Sequence, residues 1–181
     1  MGNLSTEKSK AAYRIAYSLF DKVGFLLNSY MSLGILEKQV SFRRRWRAGD
    51  GKPIRAEFDV TGNWGFSALY WLAKDLFEAA GNEVAEPQAR RLSAIRNHLE
   101  HKYLRLTLID CVNLPHDDLA LTISRAEFER MAIHLLKLAR SALVYLRIGV
   151  GLEERRRERE RAGVSIEEIP TPPLIPDDEK I

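Results

Sequence analysis

The sequence predicts an all-α protein, a helical bundle of four to five long helices with a long loop between the first two. Three observations predict it. Apolar residues recur every three or four positions in four separate segments, the spacing that gathers them on one helix face. Alternating apolar and polar runs, the mark of half-buried strands, are nearly absent. Ser124-Arg125-Ala126-Glu127 has the form of a capping box, in which a hydroxyl and a carboxylate satisfy the first free amides of a helix.

The first helix runs from about Ser5 to Met31, with Ala12, Ile15, Ala16, Leu19, Val23, Leu26, Leu27 and Tyr30 on its apolar face. Gly24 interrupts that pattern, and Gly34 marks its end or the loop beyond. From Ser41 to Asn63 the helical period is lost, with Gly49, Gly51, Pro53 and Gly62 as breakers. A connection of this length inside a compact domain is unusual and often functional. It carries Phe42-Arg43-Arg44-Arg45-Trp46-Arg47. Guanidinium groups can follow a phosphate backbone while rings stack on bases, which makes Arg43, Arg44, Arg45, Trp46 and Arg47 candidate RNA contacts. The other reading is a solvated loop with an aromatic tucked into the core.

The second helix covers Trp64 to Ala80, with Phe66, Leu69, Tyr70, Leu72, Ala73, Leu76, Phe77 and Ala80 as a broad apolar face, and Gly81-Asn82 stops it. The third starts near Pro87, a residue favoured in a first turn, and runs to about Leu104. Thr107 to Ile123 is irregular, broken by Asn113, Pro115 and Asp117-Asp118, with Leu119 to Ile123 as a short extended piece. The fourth helix follows the capping box on a stripe of Phe128, Met131, Ala132, Leu135, Leu138, Ala139, Ala142, Leu146 and Gly149. It continues through Glu153 to Arg161, whose mixed charge reads as a solvated helical extension. Pro170, Pro172, Pro173 and Pro176 exclude a helix at the end. The expected organisation is one domain over 1–163 and a proline-rich extended tail over 164–181.

The chain of 181 residues suits a single core, and 45% apolar with 29% charged residues argues against wholesale disorder. A net charge of +3 and a pI near 9.0 permit an acidic partner such as nucleic acid without requiring one. The single cysteine, Cys111, excludes an intramolecular disulfide and fits a reducing cytoplasm. No apolar run reaches membrane-spanning length, so a cytoplasmic protein with no membrane partner is expected.

The chemistry concentrates in Ala94-Ile95-Arg96-Asn97-His98-Leu99-Glu100-His101-Lys102-Tyr103. At about 100° per residue, Leu92, Ile95, Leu99, Tyr103 and Leu106 form the core stripe. Arg90, Ala94, Asn97 and His101 fall opposite, so His101 looks away from its own bundle and Arg90 can extend a basic face toward RNA. Asn97 and His101 are four residues apart and stack on one face. Arg96 and His101 are about 140° apart on an ideal wheel. The arginine must sweep around, the helix must distort near His101, or both must act on a ligand lying across it. His98 and His101 share a face, but no third or fourth ligand is evident and no metal is expected.

Arg96-Asn97 followed by His101 is similar to the Arg-x4–6-His signature of the HEPN superfamily (higher eukaryote and prokaryote nucleotide-binding domains). Ala12-Tyr13-Arg14-Ile15-Ala16, Phe20-Asp21-Lys22 and Tyr70-Trp71-Leu72-Ala73-Lys74-Asp75 also resemble the first two helices of some members. The resemblance covers roughly residues 10 to 150. It implies a metal-independent ribonuclease without a cofactor, of toxin, phage-defence or RNA-processing type. It implies a homodimer in which two signatures face one cleft. Arg96, Asn97 and His101 are then the catalytic set. Arg96, His101 and Tyr103 also match an extended Arg-x4-His-x-Tyr form, in which a nucleotidyltransferase antitoxin adenylylates the tyrosine. The core stripe argues against access to Tyr103. The alternatives are a module that grips RNA or nucleotide without cutting, and a structural dimerisation domain.

Overall fold

The architecture is that of a computed structural model, which describes residues 4–47, 53–58, 61–77, 88–108 and 119–163, with the side chain of Arg44 excepted. Gly81, Asn82, Pro87, Cys111, Asn113, Pro115, His116, Asp117, Asp118 and the tail lie outside these residues. Four helices dominate: α1 Leu4–Tyr30, α2 Trp64–Phe77, α3 Ala89–His101 and α4 Arg125–Ala162. Two short strands, β1 Tyr103–Thr107 and β2 Ala120–Ser124, lie between α3 and α4. The fold is a helical bundle, as the periodicity predicts. No described helix is long and apolar enough to cross a membrane.

The long helix α4 is the spine, packed along both α1 and α2. Its start is fixed by Ser124, whose Oγ accepts the Glu127 amide at 3.2 Å. Phe128, Met131, Leu135, Ala139, Ala142 and Leu146 bury its inner stripe. Where α2 crosses it, glycine meets glycine: a Cβ on Gly65 would lie 2.3 Å from the Gly149 amide nitrogen. Asn63 locks the same crossing. Its Oδ1 accepts the Phe66 amide at 3.1 Å and its Nδ2 donates to the Gly149 carbonyl at 2.8 Å. The charged end of α4 is helical, but it is not wholly solvated. Glu153 is buried and held by Arg156 and Arg157 at 2.9 and 3.0 Å.

One expected boundary is corrected. The third helix ends at His101, not near Leu104, because the next residues find hydrogen-bond partners elsewhere in the chain. Tyr103–Thr107 pairs in parallel with Ala120–Ser124, Leu104 opposite Leu121 and Leu106 opposite Ile123. The strand alternates, so Tyr103 points out and Leu104 in. The loop between α1 and α2 is the long connection expected. It carries three short 3-10 turns, Glu37–Gln39, Arg44–Trp46 and Ala56–Phe58, and an isolated bridge from Arg47 to Ile54. Phe42, Trp46 and Phe58 sit in the core, with the Trp46 and Phe58 rings 4.6 Å apart. The aromatics of this loop serve packing.

Candidate active site

The site is built where α1 crosses α3. Ala89, Leu92, Ile95 and Leu99 face inward on α3 and fix its rotation. Tyr13 of α1 clamps the pair: its ring stacks on Phe128 at 5.6 Å and its hydroxyl donates to the Leu92 carbonyl at 2.9 Å. Burial raises the Tyr13 hydroxyl well above its ordinary pKa, so it stays a donor. With the core side of α3 held this way, Asn97 and His101 are exposed and Arg96 is half-buried.

Arg96 leans toward α1. Its guanidinium stands 5.6 Å from the centre of the Tyr17 ring and donates to Asn97 Oδ1 at 3.4 Å. Burial raises the Tyr17 hydroxyl, and the Arg96 charge and a hydrogen bond with Ser93 oppose that rise. The cation therefore rests against the Tyr17 ring. The helix stays regular through His101, and extended Lys102 ends it there. Of the three ways to reconcile Arg96 with His101, distortion before His101 is not the one adopted.

Arg14 of α1 joins the site from a distance in sequence. It donates to the Leu99 carbonyl and stands 3.7 Å from Glu100 Oε1. It satisfies one of the carbonyls that the end of α3 leaves without a partner. Two cations, Arg14 and Arg96, thus flank the last turn that presents His101. The signal in the sequence was weak, because nothing local links position 14 to position 99. Glu100 engages Arg14 rather than Arg96 at i−4.

The remaining candidates separate. Tyr103 is 70% exposed, on β1, so the core placement is corrected: it follows from a helix that ends two residues earlier. Arg90 and Arg43 are exposed. Arg47 donates to the Tyr70 hydroxyl at 2.9 Å. Arg45 and Trp46 are corrected as surface RNA contacts, being 0% and 2% exposed. Trp46 Nε1 donates to the Phe42 carbonyl at 2.9 Å, and Arg45 lies over the Phe42 ring at 5.5 Å. Burial pushes the Arg45 guanidinium down to about 9, with Asp21 opposing. Among the described residues no three His, Cys, Asp or Glu side chains gather as a metal site. His98 Nδ1 instead meets the Ala94 carbonyl at 2.8 Å.

No curated protein and no solved structure shows significant similarity to the chain. Residues 1–153 match the family described as LA2681-like HEPN, a span that includes α1 to α3, both strands and most of α4. The helical bundle fits that match, and the chain belongs to the HEPN superfamily.

Proposed function

We propose that the chain is a metal-independent endoribonuclease of HEPN type, working as a homodimer in which two α3 ends close one cleft. Membership of the family supports a nucleotide-binding or ribonuclease-type module. The observation that carries the finer reading is the exposure of His101 at the end of α3, one turn beyond the exposed Asn97. A histidine placed outward at a helix end is available to a second protomer and to substrate.

The chemistry follows from the residue types. His101 of one protomer removes the proton of a ribose 2′-hydroxyl, and the freed oxygen attacks the adjacent phosphorus. The bond from phosphorus to the 5′-oxygen breaks, and the protonated imidazole of the partner subunit's His101 gives that oxygen a proton. Products are a cyclic phosphate and a 5′-hydroxyl. Arg96 and Arg14 hold the phosphate oxygens and stabilise the charge that develops on them. Asn97 orients. DNA lacks the 2′-hydroxyl and is no substrate. Arg90 and Arg43 extend the contact to flanking phosphates. The biological setting we propose is a cytoplasmic toxin or phage-defence system. The exposure of Tyr103 supports its adenylylation by a nucleotidyltransferase antitoxin.

The test compares wild type with His101→Ala on mixed RNA in excess EDTA. Cyclic-phosphate ends from the wild type alone are expected. Cleavage that persists in the variant, or that needs added metal, rejects the reading. One observation favours a second reading, a module that grips RNA without cutting: Arg96 rests on Tyr17 and is directed at α1. That reading expects RNA affinity that falls on Arg96→Ala, and no cleaved product from any variant.

A further inference from the structure

A groove of about 1090 Å³ runs along the far flank of the bundle, between α1, the start of α2 and the second half of α4. Leu26, Leu143 and Tyr30 line its apolar part, Trp64 forms one wall, and Arg147 and Arg155 stand along α4. Trp64 is 58% exposed and Leu26 and Leu143 nearly half, a costly arrangement for large side chains with no cover. Both arginines are exposed. Their neighbours Arg156 and Arg157 are both paired with Glu153, while among the described residues Arg155 and Arg147 form no ion pair. The groove lies on the opposite flank of α1 from Arg14 and Tyr17, since Leu26 projects about 120° or more from both. A protomer seated on the α3 face leaves it open.

We propose that this groove seats the chain's own C-terminal segment, residues 164–181. Chain length, register and charge all point to it. The helix α4 ends at Ala162 with Gly163 as its cap. Arg155 lies eight residues before Gly163, roughly 12 Å back along the helix at 1.5 Å per residue. A proline-rich strand advances roughly 3.1 Å per residue, so Glu167 and Glu168 stand roughly 12 to 16 Å from Gly163 if the chain turns back along α4. The carboxylates fall level with Arg155. The wall at Trp64 is level with Gly149, since Gly65 touches that residue. That is roughly 21 Å back on the helix, which corresponds to roughly seven residues of extended chain. Pro170-Thr171-Pro172-Pro173 then meets the indole.

The chemistry of the segment suits that seat. Glu167, Glu168, Asp177, Asp178 and Glu179 stand against Lys180 alone. Ile166, Ile169, Leu174 and Ile175 supply apolar contacts. Prolines favour the extended form before docking, which lowers the ordering cost, and aromatic-lined grooves are the recurrent seat of such segments. Tethering through α4 gives an effective concentration in the millimolar range, so a weak contact is enough. The proposal is independent of the ribonuclease reading.

The experiment uses the full chain carrying Trp71→Phe, in which Trp46 is buried and Trp64 is the accessible indole. Acrylamide quenching of its fluorescence is measured with and without Glu167→Lys and Glu168→Lys. Far-ultraviolet circular dichroism and the blue-shifted emission of Trp46 check the fold. The charge reversal is expected to raise the quenching constant roughly twofold, and adding Arg155→Glu is expected to return it toward the parent value. Equal quenching in parent and reversed chain overturns the proposal. So does protection of Trp64 that grows with protein concentration, since the occupant is then a second copy.

Discussion

A Cβ on Gly24 would lie 1.9 Å from Arg45 Nη2 and 2.6 Å from Arg45 Cζ. The glycine inside α1 is therefore the socket for a guanidinium that the loop between α1 and α2 drives into the core. Among the described residues Arg45 Nη1 and Nη2 have no hydrogen-bond partner, and Nε reaches the Phe42 carbonyl at 3.4 Å.

Gly24→Ala gains helix propensity, worth about 1 kcal/mol on an exposed face. Here the methyl group displaces a buried guanidinium, and overpacking costs about 1–3 kcal/mol. A net loss of stability in urea unfolding is expected. Arg45→Met keeps an apolar stem but removes the guanidinium that occupies the space beside Gly24, and is expected to be neutral or stabilising. In the double variant the penalty of Gly24→Ala is expected to vanish. Equal penalties in the two backgrounds would break the link between these positions.

Tyr17 supports Arg96 through its ring, 5.6 Å from the guanidinium carbon. Tyr17→Phe keeps the ring and is expected to leave RNA cleavage within about twofold of wild type, whereas Tyr17→Leu frees the arginine and is expected to lower kcat/KM about tenfold or more. Initial rates on a short RNA check both. Equal activity of the Leu and Phe variants would mean that the ring does not position Arg96.

Tyr103 and Leu104 are neighbours on opposite faces of β1, 70% and 9% exposed. Tyr103→Ala is expected to cost about 0.5 kcal/mol or less, and Leu104→Ala about 2–4 kcal/mol. Urea denaturation distinguishes them. Reversed magnitudes would restore the helical register that puts Tyr103 in the core.

Glu153 is buried among arginines. Burial alone would raise its carboxyl, but hydrogen bonds from Arg156 and Arg157 and their charges outweigh it and hold the group below its ordinary 4.5. A carboxylate lowered in the fold binds fewer protons there than in the unfolded chain. Its contribution is present above pH 4.5 and is lost as pH falls through the lower folded value. Glu153→Gln is expected to reduce stability at pH 7, with the gap from wild type narrowing as the medium is acidified below that range. Unfolding curves across acid pH check the sign, and a gap that widens on acidification would contradict it.

The sequence by itself determined the elements whose information is local. Helix faces repeat every three to four residues, so α1, α2 and α4 were legible, and Ser124 with Glu127 marked the start of α4 within one turn. The outward rotation of His101 was legible for the same reason, because Leu92, Ile95 and Leu99 fix which side of α3 is buried. Tertiary structure alone decided what depends on distant partners. Tyr103–Thr107 has no strong period of its own and becomes a strand by pairing with Ala120–Ser124. Arg45 and Trp46 look like surface chemistry in a run of arginines, yet Gly24 and Phe58 supply the space and the packing that take them inside. Arg14 joins the site because two helices cross, placing its guanidinium on the Leu99 carbonyl 85 positions away. Periodicity reports which side of an element is buried, but the partner that buries it is chosen by packing across the whole chain.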